Sequence, residues 1–143
     1  MKKLIFLIAL IGLNSCKEGR IVDNPLSQTM DLPGFTINAS RDWKHYVRQG
    51  IDSRVGIITN EADTLHYDYG WYSYNFDDIT TATHNKENII IDGHAALLVK
   101  PKTSGKGVIG FYAKIDDMNR LSLTGRSKNE AEIISIFKSV KFK

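Results

Sequence analysis

The run Leu65-His66-Tyr67-Asp68-Tyr69-Gly70 alternates by side-chain type. Leu65, Tyr67 and Tyr69 fall on one parity, His66 and Asp68 on the other. Successive side chains of a strand point to opposite faces of a sheet, so the pattern predicts a strand with one buried and one wetter face. Gly70 ends or bends it. Upstream, the polar turn Asn60 to Asp63 joins it to an extended stretch from Gly50 to Ile58, strongest at Val55-Gly56-Ile57-Ile58. Phe35 and Ile37, alternating with Thr36 and Asn38, predict a first strand. Downstream, Ile89 to Ile91 and Ala95 to Val99 flank Asp92-Gly93. They form either a hairpin through an Asp-Gly turn or one long strand with a bulge at Gly93. Val108 to Ile115 and Leu121 to Thr124 read as strands, separated by turns at Pro101 to Gly107 and Asp116 to Asn119.

One helix is expected near the C-terminus. Glu130 and Glu132 suit the positive end of its dipole, and Ile133, Ile134 and Phe137 form an apolar stripe. Asn129 or Ser127 is the expected N-cap, and Val140 and Phe142 suggest a short terminal strand. Asp42 to Gln49 is the only helix candidate in the first half. Asp77 to Asn88, polar and rich in threonine, predicts a loop. Sequential strands joined by short turns, followed by a helix, predict an α+β fold. Its mainly antiparallel, twisted sheet carries the C-terminal helix packed on it.

The N-terminus has a different character. Lys2 and Lys3 precede the apolar run Leu4 to Leu13, which closes at Asn14-Ser15-Cys16. A charged start, a short apolar middle and a small residue before a cut site make a secretory signal peptide. The run is too short to span a hydrocarbon core, which takes about 17 to 25 apolar residues. Leu13 to Cys16 resembles the lipobox of bacterial lipoproteins, with Ser15 at the small position. The resemblance implies that Cys16 is the lipid acceptor, its sulfur carrying diacylglycerol and its amine an acyl chain. The competing possibility, an ordinary secreted protein cut near Ser15, leaves Cys16 as a free thiol. Lys17-Glu18, directly after the cysteine, resembles the surface-export signals of some Bacteroidetes lipoproteins. The implied location is the bacterial cell envelope, at the periplasmic or surface face of a Gram-negative outer membrane. The division expected is a leader at residues 1–15, a lipidated tether at 16–31 and a single domain at 32–143.

The chain of 143 residues holds one cysteine, Cys16, so no intrachain disulfide is available and stability must come from an apolar core. The net charge of +3 loses Lys2 and Lys3 with the leader. No basic cluster remains dense enough to argue for nucleic acid.

Pro33-Gly34-Phe35 ahead of a strand, Trp43 shortly after, Ile91-Asp92-Gly93 with Ala95 and Ala96, and a final helix running into Val140-Lys141-Phe142 resemble the PsbP/Mog1-like superfamily. The resemblance covers Leu32 to Lys143. Such folds carry a further helix in the first half, and their members bind varied partners, so the fold leaves function open.

Candidate chemistry is sparse. His66 with Asp68, and Asp92 with His94, each share a strand face; if their strands were neighbours, the four could converge on a metal. Alternation and Asp-Gly turn chemistry explain the same residues without a metal. Gly105 to Gly110 matches GxGxxG, but a strand follows rather than a helix, so a hairpin turn is expected instead of a phosphate site. No nucleophile elbow, P-loop or catalytic cysteine is present, and no cofactor is called for. The segment from Tyr67 to Phe76 is dense in aromatics. Tyr67, Tyr69 and Trp71 are expected in the core, whereas Tyr72, Tyr74 and Phe76 fall on the opposite parity as contact residues for a protein or a glycan. The function expected is a non-enzymatic, lipid-anchored envelope module that binds protein or glycan. The alternative is a metal-binding or hydrolytic domain using His66, Asp68, Asp92 and His94.

Overall fold

Alternating aromatic and β-branched residues bury one side of an extended chain, and strands dominate the result. A computed structural model describes residues 27–143. In chain order these form β1 (Gln28–Leu32), β2 (Phe35–Ala39), β3 (Lys44–Arg48), β4 (Ser53–Thr59), β5 (Thr64–Gly70), β6 (His84–Ile91), β7 (His94–Pro101), β8 (Ile109–Lys114), β9 (Arg120–Arg126), α1 (Glu130–Lys138) and β10 (Lys141–Phe142). All strand pairs are antiparallel. A large sheet runs β3-β4-β5-β9-β8-β7-β6, and a small one runs β1-β2-β10. The fold is α+β and mainly antiparallel, as the alternation predicts. Among the described residues no helix is long and apolar enough to cross a membrane.

Register sorts the large sheet into two faces. On the inner face, Tyr67, Leu123, Phe111 and Leu98 form one cross-strand row, and Tyr69, Leu121, Ala113 and Ala96 form the next. The small sheet and α1 cover this face. Phe35 stacks on Tyr69 at 6.2 Å between ring centroids and meets Tyr67 edge-on at 5.7 Å. Phe137 of α1 meets Phe111 at 5.9 Å. Ile37, Ile133 and Ile136 complete a core with almost no exposed surface.

Several local expectations change. β1 already starts at Gln28, ahead of Leu32, so the end of the expected tether is a strand. Met30 and Leu32 bury one side of it, and the Gln28 amide donates to the carbonyls of Ser40 and Trp43. Residues 1–26, including the expected leader and Cys16, lie outside the described residues. Asp42 to Gln49 supplies β3 rather than a helix, because Tyr46 and Val47 pair along β4 at the sheet edge. The expected loop Asp77 to Asn88 ends early, since β6 begins at His84. Its polar composition reflects an exposed edge strand. At Asp92-Gly93 the hairpin form is present: both residues have positive φ, 50° and 81°, as a tight two-residue turn of this hand requires. Asn129 occupies the N-cap of α1 without capping it. Its side chain donates to Glu132, while Ser127 Oγ accepts the Asn129 N–H and donates to Asp63.

Candidate functional site

Strand order creates the site. β5 lies mid-sheet and β6 at the far edge, with β9, β8 and β7 between them. At about 4.8 Å per strand, residues 71–83 must cross roughly 19 Å. Phe76 shows which face they cross: it is fully buried against Gly110, whose neighbours Ile109 and Phe111 point into the main core. The connection is therefore a strap over the outer face.

The strap is fixed at three points. Ser73 Oγ accepts the Gly70 N–H at 3.2 Å and lies within donor reach of the carbonyls of Asp68, Gly70 and Arg120. Phe76 plugs the sheet above Gly110 and Val99, and Lys86 Nζ donates to its carbonyl at 2.8 Å. Phe76 holds this position with φ of 62°, which an aromatic residue rarely adopts. The Arg120 guanidinium donates to the Trp71 carbonyl and lies over the indole at 5.4 Å.

Between these anchors Trp71, Tyr72 and Tyr74 are 42%, 74% and 40% exposed, whereas Phe76 is 0%. Two of the three expected contact residues, Tyr72 and Tyr74, are on the surface. Phe76 is corrected to a buried anchor, and Trp71 moves from expected core to surface. The parity argument failed because the strand ends at Gly70 and the chain leaves extended geometry there. Tyr74 packs on Phe76 at 4.5 Å and its phenol donates to Asp78. That hydrogen bond, aided by partial burial and the Asp78 charge, pushes the Tyr74 pKa up to about 12.

A hollow lies on either side of the strap. Toward the β6 edge, one of about 560 Å³ has Ile90, Leu97 and Tyr112 in its floor and Asn75, Asp77 and Lys114 on its rim. Toward β4, one of about 350 Å³ gathers Arg48, His66, Asp68, Ser122 and Thr124 beside Tyr74. Sequence reasoning missed Arg48, Ser122 and Thr124, although Ser122 and Thr124 alternate with Leu121 and Leu123 and so mark the outer face of β9.

The four candidate metal ligands do not meet. His66 and Asp68 stand on β5, and Asp92 and His94 flank the β6–β7 turn, with β9 and β8 intervening between β5 and β7. Asp92 accepts the Phe142 N–H at 2.8 Å, and the His94 ring packs edge-on to Phe142 at 5.0 Å; both residues brace β10. Among the described residues no group of three or more His, Cys, Asp or Glu side chains gathers as metal ligands. The paired acids serve turns. Asp116 accepts from the Asn119 side chain and from the backbone N–H groups of Asn119 and Met118, which lowers its pKa. Asp117 pairs with Lys114. Within the GxGxxG match, Gly105 sits in a turn at φ of 72°, its N–H bonded to Glu130, and β8 follows. Comparison with protein families, curated proteins and solved structures finds no match to this chain.

Proposed function

We infer that the chain is a lipid-anchored bacterial envelope protein whose domain is a non-enzymatic module, binding a protein or a glycan through the outer face of its large sheet. One observation carries this: Trp71, Tyr72 and Tyr74 are held in water by a strap anchored through Ser73 and Phe76. Exposed aromatics on a rigid support give large contact area at low entropic cost. Phe76 holds a backbone conformation that costs an aromatic residue energy, as residues at binding sites often do. We assign anchoring to acyl chains on Cys16 and location to a Gram-negative outer membrane on the lipobox-like Leu13 to Cys16. We assign the fold to the PsbP/Mog1-like type on the motifs from Pro33 to Phe142. The chain departs from that type in having β3 where a helix would stand.

Cross-linking in the native envelope, with mass spectrometry of the adducts, tests the binding face. Adducts mapping to residues 71–77 and lost in Tyr72→Ala/Tyr74→Ala are expected; adducts confined to other surfaces overturn it. Anchoring has its own test. Cys16→Ser is expected to leave the precursor unprocessed and without lipid label, and a mature form with unchanged membrane retention would overturn that assignment.

A further inference from the structure

The hollow on the β4 side of the strap is lined by outward side chains, with the backbone of Gly56 and Tyr67 between them. Arg48, Val55, Asp68 and Ser122 lie in one cross-strand row, and Ile57, His66 and Thr124 in the next. The floor strands β4, β5 and β9 are each bonded on both sides. No backbone edge is free on those three strands; the open edge of the sheet is the far side of β3, beyond Arg48, so a peptide seated over the floor cannot add there as a further strand. Val55 is the only aliphatic side chain in the lining. The hollow thus lacks the apolar recess that anchors a protein hot spot. It offers instead a guanidinium, an imidazole, a carboxylate and two hydroxyls, beside one aromatic ring.

That combination matches a sugar ring. Each sugar hydroxyl donates and accepts, and so can bond to a carboxylate, a guanidinium and a hydroxyl in turn. The C–H face of the same ring is apolar and packs on an aromatic face. The volume of about 350 Å³ is at the lower end of small-ligand sites, which run from about 300 to 1,000 Å³.

We propose that this hollow binds one saccharide unit of a glycan, with Tyr74 as the stacking wall and Arg48, His66, Asp68, Ser122 and Thr124 as the hydrogen-bonding floor. The proposal rests on the outer face being the binding face and names the class of ligand. The wall is set before binding, because Tyr74 is braced by Phe76 and by its bond to Asp78. Beneath it, Ser73 Oγ fixes the Asp68 backbone, reaching its carbonyl at 2.8 Å. Less ordering of the wall is then left to oppose association.

The test is calorimetric titration of the full chain in detergent micelles with chitohexaose, cellohexaose and solubilised peptidoglycan strands. At least one probe is expected to bind with a sub-millimolar Kd. Tyr74→Ala and Asp68→Asn should each weaken that binding about tenfold, the size of a lost stacking wall or charged hydrogen bond. Tyr74→Phe keeps the ring and should stay within about threefold. Arg48→Ala, at an exposed edge position that does not threaten folding, should also weaken binding. Silence with all three probes, or an affinity untouched by Tyr74→Ala and Arg48→Ala, overturns the proposal. Protein adducts on residues 71–77 without saccharide binding would retain the binding face and overturn the glycan; adducts elsewhere would overturn both.

Discussion

The two faces of the large sheet are covered by different means. The inner face lies under a small sheet and a helix, and Phe35, Ile37, Phe111 and Phe137 interlock there with almost no exposed surface. The outer face is crossed by a single strap that touches down at Phe76 and a few hydrogen bonds, leaving a hollow on each side. Burial on the first face is continuous and fixes the fold. On the second it is local, and what it fixes is the position of three exposed aromatics. Stability and recognition are thereby assigned to opposite sides of the same strands.

The largest expected effect lies on the inner face. Phe111→Ala should cost about 3–5 kcal/mol, measured as a fall in denaturant midpoint, because the site is enclosed from both sides. Gly110→Ala, one residue away and facing outward, should cost about 1–3 kcal/mol, since the Phe76 ring leaves no space for a Cβ. Its distinguishing mark should be faster amide exchange within residues 71–83, with protection in β8 and β9 retained. If Gly110→Ala costs as much as Phe111→Ala and loosens both faces together, the contrast between them is wrong.

Ser73→Ala should cost about 1–2 kcal/mol, because the Gly70 N–H loses its acceptor in a buried turn. It is expected to shift Trp71 fluorescence before any global change. The smallest effect concerns pH. The Tyr74 pKa is about 12 in the folded protein, above the unfolded value of about 10. Stability from this bond is therefore complete below pH 10 and lost as pH rises through about 12. Ultraviolet titration should show Tyr74 ionising late, a feature absent in Tyr74→Phe. Tyr67, raised by burial, should still titrate late in that variant.

Period-two alternation made β5 and β9 legible, and β7 and β8 stood out as apolar stretches bounded by turns. The first part of β6 escaped notice because most residues of this edge strand are exposed, so His84 to Asn88 read as a loop while Ile89 to Ile91 read as strand. β3 looked ambiguous because Val47 and Tyr46 are both exposed. Of the site, the aromatic density of residues 67–76 was visible, and Tyr72 and Tyr74 were singled out. The burial of Phe76 was not, since it depends on Gly110, distant in sequence, and on a strand order that sends the chain back over the sheet. Likewise, the separation of His66 and Asp68 from Asp92 and His94 follows from β9 and β8 inserting between their strands, which no local pattern encodes.

The small sheet has a consequence for how the molecule is made. β2 is bonded both to β1, which begins at Gln28, and to β10, at Lys141–Phe142. The Lys143 N–H donates to Gly34, and its ammonium reaches the carbonyl of Leu32 and the Asp31 carboxylate. A chain synthesised from its N-terminus can bring β3 to β9 together first, but the cover of their apolar side cannot latch until Val140 to Lys143 have emerged. Closing contacts between residues so far apart in sequence is slow. The nascent chain should therefore stay unlatched, and open to threading or to chaperones, until those residues are available.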